Sequence, residues 1–123
     1  RASIRARAAA SAGLAEFVAL DHRISDELRL IPTLGHTPGH VSVMIDSGGQ
    51  RAAITGDMSH HPCQMPHPDW SPAFDSDPRE AAATRARMFG EWADREVLVI
   101  GTHYAGPTAG HVRREGDAFR FEF

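Results

Sequence analysis

Apolar residues in this chain change their spacing several times, and each change predicts an element. Ile4, Ala8, Ala12, Ala15 and Ala19 recur at helical spacing, which predicts an amphipathic helix over about residues 3 to 15. Phe17-Val18-Ala19-Leu20 predicts a short buried strand. Leu28-Arg29-Leu30-Ile31 alternates and stops at Pro32, as a strand does. In the next run Val41, Val43 and Ile45 share one face, and Ser42, Met44 and Asp46 share the other. Ser47-Gly48-Gly49-Gln50 signals a turn and Ala52-Ala53-Ile54 the returning strand, so the pair predicts a hairpin. Residues 58 to 76 are rich in Pro, His, Ser and Asp and have no period; such long loops are functional or disordered.

Asp77-Pro78-Arg79-Glu80 then predicts a helix start. Asp77 stands at the cap, Pro78 at the first turn and Glu80 where a capping box places its acid. Ala81, Ala82, Met88, Phe89 and Trp92 form its apolar stripe. The unbroken run Val97-Leu98-Val99-Ile100 predicts a strand buried on both faces. A last hairpin spans His111 to Arg114 and Ala118 to Phe123 around Glu115-Gly116-Asp117, with Phe119, Phe121 and Phe123 on one side. Strands and helices in this order predict an α/β layered fold in one domain.

Histidine is the unusual part of the composition, with eight in 123 residues. Two of them close the run Leu34-Gly35-His36-Thr37-Pro38-Gly39-His40, where Gly35, Pro38 and Gly39 exclude a helix. The run therefore predicts a rigid loop that ends in an imidazole as the next strand begins. Asp57 follows the strand Ala52-Ala53-Ile54, and His103 follows Val97 to Ile100. One such side chain at each of three strand ends is how a sheet assembles a metal site. Imidazole with carboxylate suits Zn, Mn, Fe or Co. The net charge of −3 gives no electrostatic case for nucleic acid or anionic lipid, and no apolar run is long enough to span a membrane. The single cysteine, Cys63, excludes an internal disulfide, suits the reducing cytoplasm, and is expected to pack as a small hydrophobe. His22 and His111 are expected at the surface.

The sequence Gly35-His36-Thr37-Pro38-Gly39-His40, then Gly56-Asp57, then His103, resembles the C-terminal half of a metallo-β-lactamase-fold hydrolase. Asp57-Met58-Ser59-His60-His61-Pro62, Phe74-Asp75-Ser76-Asp77-Pro78, Gly101 to Pro107, Gly110-His111-Val112 and Phe119-Arg120-Phe121 resemble the lactonase and organophosphate-hydrolase branch. The resemblance covers about residues 24 to 123. It implies half of a four-layer αββα sandwich, with residues 1–123 as the C-terminal portion of a single metallo-β-lactamase-like domain. That family carries an earlier His-x-His-x-Asp-His motif. Here no two histidines stand two apart, so the motif is absent from the chain, and the chain, which opens on Arg1, is expected to be a piece of a longer protein.

The resemblance further implies two divalent metal ions, zinc first, with Mn, Fe or Co as alternatives. His40, Asp57 and His103 are the implied metal ligands and catalytic residues. His36, Thr37, His60, His61 and Trp70 are expected to support those ligands or line the pocket. A metal-bound hydroxide would attack a small-molecule lactone, ester or phosphotriester. The missing N-terminal half would complete the ligand set, so the chain alone is expected to be inactive. The alternative expectation is a noncatalytic half-domain that associates through its exposed sheet, with further copies of itself as one partner.

Overall fold

Six strands form one sheet, in the order β1-β2-β3-β4-β5-β6, in the computed structural model, which describes residues 10–123. They are β1 (Leu28–Pro32), β2 (Val41–Ser47), β3 (Gln50–Ile54), β4 (Val97–Ile100), β5 (Ala109–Glu115) and β6 (Ala118–Glu122). Neighbours in sequence are neighbours in space, and four of the five pairings are antiparallel. Only β3 and β4 run parallel. A parallel pair needs a crossover, and the 58–76 loop with helix α1 (Pro78–Trp92) supplies it.

The predicted hairpins form as the local pattern dictates. Ser47 pairs with Gln50 across the Gly48-Gly49 turn, and Glu115 with Ala118 across the second turn. The side chain of Asp77 caps α1, accepting from Arg79 N and Glu80 N at 3.0 Å each. That satisfies two of the orphan donors at the helix start. The long loop is ordered by Gln64, whose Oε1 accepts from His60 N at 2.7 Å and whose Nε2 donates to Trp70 O at 2.7 Å.

The core lies between α1 and one face of the sheet. Met88, Phe89 and Trp92 of α1 meet Met44, Ala53, Val97, Val99 and Val112. Phe89 is fully buried, which at core densities makes it the central packing residue of the helix. The other face of the sheet carries Val43, Ile45, Ile54, Ile100 and Leu98, all partly or substantially exposed. The expectation that Val97 to Ile100 is buried on both faces is therefore corrected. Val97 and Val99 are buried, but Leu98 is 37% exposed, because no element among the described residues covers that face.

Two other expectations change. Phe17 to Leu20 forms no strand and is exposed; the chain meets the edge of β1 only afterwards, in a single bridge between Arg23 and Arg29. Cys63 is only half-buried, in a short 3₁₀ turn at the surface of the loop. Most of the helix predicted over about residues 3 to 15 lies outside the described residues. Among those described, no helix is long and apolar enough to cross a membrane.

Candidate metal centre

The parallel pair sets the position of the site. Asp57 lies just past β3 and His103 just past β4, so both side chains leave the carboxyl ends of adjacent parallel strands. That end of an α/β sheet is where loops diverge and open a crevice. The two strand-end loops are tied together, because Thr55 N donates to Ile100 O at 3.0 Å and Thr102 N to Thr55 Oγ1 at 3.4 Å. Gly101 carries no side chain for a steric reason. A Cβ there would sit 2.2 Å from the ring of Tyr104, which packs under the loop.

Asp57 is ringed by imidazoles. His103 Nε2 lies 2.7 Å from Oδ1, His60 Nε2 3.7 Å from Oδ1, and His36 Nε2 3.6 Å from Oδ2. His60 and His103 stack with centroids 5.1 Å apart and planes 10° from parallel. Phe74 closes one side, edge-on to both His36 and His60 at 5.8 and 5.0 Å. His60 Nδ1 is buried with no hydrogen-bond partner among the described residues.

Electrostatics follow from this crowding. Burial alone would raise the Asp57 carboxyl, but the His103 hydrogen bond and the neighbouring imidazoles outweigh it, and Asp57 is held below the usual carboxylate value. Burial lowers His60, more than Asp57 can raise it. Burial also lowers His40, partly offset by the Thr33 carbonyl and by Asp57.

The two loop histidines divide in an unexpected way. His40, the expected ligand, has both ring nitrogens engaged by its own chain. Its Nδ1 lies 3.0 Å from Thr33 O and 2.9 Å from Thr33 Oγ1, and its Nε2 accepts from Asp57 N at 2.8 Å. His36, the expected support, presents Nε2 to the Asp57 carboxylate. Thr37 is exposed and acts through its carbonyl, which accepts from His40 N and Gly35 N. His61 caps the 3₁₀ turn at Pro62–Gln64 by accepting from Cys63 N. Trp70 stacks on His67 at 4.1 Å and is 54% exposed. In the ring around Asp57 it is Phe74 that stands against the imidazoles.

The donor set fits a divalent metal. Asp57, His60 and His103 each offer a ligand atom, and all three atoms lie within 4.8 Å of one another. A carboxylate among neutral imidazoles is the hard-to-borderline mixture that Zn, Mn, Fe or Co accept. An orphaned, buried nitrogen on one of those rings is what a polar cluster built for a ligand leaves behind. No sequence motif points to Thr33, which holds His40, or to Arg85, which anchors the Asp75 carboxylate behind His36.

Comparison with known proteins identifies the family and the fold. Residues 5–90 match the family model described as the metallo-beta-lactamase superfamily. The dizinc quorum-quenching lactonase AidC, solved with a product bound, is 26% identical with a TM-score of 0.79; the match covers 87% of the present chain and 37% of AidC. The hydrolase AbOPH of the beta-lactamase superfamily is 27% identical with a TM-score of 0.73, over 79% of this chain and 34% of that one. A probable metal-dependent hydrolase from Staphylococcus aureus shares the fold at 19% identity and a TM-score of 0.77, over 90% of this chain and 41% of the other. No curated protein sequence matches significantly. The chain thus spans 34 to 41% of the length of these solved relatives. Its mixed sheet and covering helix match part of their α/β sandwich, and the chain belongs to the metallo-beta-lactamase superfamily.

Proposed function

We propose that this chain is the C-terminal portion of a single metal-dependent hydrolase domain, and that His36, Asp57, His60 and His103 form its share of a divalent metal centre. The observation that carries the reading is the ring of three imidazole Nε2 atoms around the Asp57 carboxylate. His36 takes the ligand role in place of His40, because the His40 nitrogens are committed to Thr33 and Asp57 N. His40 then holds Asp57 in place through its backbone. Divalent ions held there, zinc by analogy with AidC, would polarise a substrate oxygen and supply a water nucleophile active at neutral pH. Phe74 packs edge-on against His36 and His60, Asp57 supplies the anionic ligand, and His60, whose proton affinity burial lowers, offers an imidazole nitrogen to the metal.

The substrate class we propose is a neutral lactone or aryl ester. An anionic β-lactam carboxylate wants an Arg or Lys clamp. All 13 basic residues are arginines. Arg51 is committed to Arg95 O at the far end of β3, and Arg85 is spent on Asp75, Pro68 and Met58. AidC, a lactonase, supports the same class by likeness. The open sheet face, with Leu98 exposed, supports a second reading in which the chain is a noncatalytic half-domain that docks through that face.

Zinc titration of the chain tests the ligand set. His36→Ala and Asp57→Ala should abolish tight binding, and His40→Ala should weaken it by about 10–100-fold, as loss of a supporting contact does. Abolition by His40→Ala with little effect from His36→Ala would return the ligand role to His40. For the parent chain, kcat/KM on a neutral lactone against a penicillin decides the substrate class. Preference for the penicillin would overturn it.

A further inference from the structure

Asp75 and Arg85 form an ion pair with both side chains wholly excluded from solvent, behind the metal cluster rather than in it. Asp75 Oδ2 lies 3.3 Å from Arg85 Nη1. The guanidinium also donates to Pro68 O at 2.7 Å, to Met58 O at 3.4 Å and to Ser71 Oγ. Burying two charges seldom stabilises a fold more than apolar packing would. The pair therefore calls for another purpose, and its geometry supplies one.

The other carboxylate oxygen, Asp75 Oδ1, lies 3.1 Å from His36 Nδ1. A carboxylate ion-paired to an arginine only accepts hydrogen bonds, so His36 must carry its proton on Nδ1. In the neutral ring Nε2 is then left as a lone pair, and Nε2 is the atom 3.6 Å from Asp57. The same short segment fixes the backbone of the histidine. Ser76 N donates to His36 O at 3.1 Å, and Asp77 N to Gly35 O at 2.9 Å. Ring and main chain are thus held by three consecutive residues that lead directly into α1. Arg85 lies about two turns along that helix.

We infer that Asp75, anchored by Arg85, is a positioning residue that fixes the His36 tautomer and aims its Nε2 lone pair into the Asp57 cluster. A carboxylate on the far nitrogen also makes a histidine a better metal donor. The effect on metal affinity rests on the proposed reading of the cluster; the tautomer does not.

The test begins on the metal-free wild-type chain, with ¹⁵N-edited NMR of the imidazoles at mildly alkaline pH. His36 should be the Nδ1–H tautomer; an Nε2–H ring there overturns the inference before any variant is made. The double variant Asp75→Leu/Arg85→Met then removes both buried charges together, so neither is left unpaired. It should move His36 toward Nε2–H and leave His40, still bonded to Thr33, as in wild type. Zinc affinity should fall about 10–100-fold. A double variant that keeps the wild-type His36 tautomer overturns the inference, whatever its stability. His36→Ala on its own separates the two readings. If it leaves zinc affinity unchanged, the metal reading of His36 fails, while the tautomer shift still decides the role of Asp75.

Discussion

Replacing Gly35 with alanine should damage this protein more than any other single-methyl addition in the histidine loop. Gly35 has φ +122°, and a Cβ built on it would lie 2.2 Å from Ala81 N and 2.3 Å from Ala81 Cα, both backbone atoms of α1. Ordinary contact begins near 3.4 Å, so loop and helix must separate by about 1 Å. A non-glycine residue held at such a φ costs about 1–3 kcal/mol. Separation also threatens the Asp77 N to Gly35 O and Ser76 N to His36 O hydrogen bonds, each worth about 0.5–1.5 kcal/mol net. Against this stands about 0.4–1 kcal/mol gained from a less flexible unfolded chain. The net expectation is a loss of about 1–6 kcal/mol. Gly39→Ala is the matched control, since nothing lies within 4 Å of a Cβ there. Urea denaturation of both variants reads the difference directly. If Gly35→Ala unfolds within about 1 kcal/mol of Gly39→Ala, the close packing of the histidine loop on α1 is refuted.

Tyr104 is the sole tyrosine, buried and 2.9 Å from Ser59 Oγ, and burial raises its hydroxyl to about 12. Ultraviolet titration should show phenolate only near that pH, and ionisation near 10 would place the ring in solvent. Acid should unfold the metal-free chain through His40. Its folded value is depressed, so the unfolded chain takes the proton first; stability is full above about 6.5 and declines as pH falls through the folded value. Protonated Nε2 would also face the Asp57 N–H as a second donor. His40→Gln should flatten that part of the stability–pH curve, and an unchanged slope would assign it to other groups.

What could be read from the sequence was local. Both hairpins follow from alternation and a two-residue turn, and α1 follows from Asp77, Pro78 and an apolar stripe, so neighbours in sequence decide them. The strand ends that carry Asp57 and His103 were legible for the same reason. The hydrogen-bond partners of His36 and His40 were not, because they depend on where the loop turns and on residues far away. Asp75 stands 39 residues from His36 in sequence. Arg85 falls on the buried stripe of α1, where a sequence pattern expects an apolar residue, and only its partners explain it. Phe17 to Leu20 misled in the opposite sense: four apolar residues predict a strand only if an edge waits for them.

The site's supports have a consequence for how it can fail. Three pins hold it: His40 to the Asp57 backbone, Asp75 to the His36 ring, and Thr55 to the loop before His103. Two of them belong to one buried network: His40 Nδ1 lies 2.9 Å from Thr33 Oγ1, Thr33 Oγ1 lies 3.0 Å from Ser42 Oγ, and Ser42 Oγ donates to Thr55 O at 2.8 Å. The Asp75–His36 contact stands outside that chain of hydroxyls. Members of one hydrogen-bond network are coupled, because removing one strands the next. Loosening Thr33 or Ser42 should therefore disturb His40 and the Thr55 loop together, whereas loosening Asp75 should act first on His36. The division of labour between the two loop histidines is what separates these two modes of failure. His40 turns inward to set the carboxylate, and that leaves His36 to be aimed by an acid from the far side of the crossover.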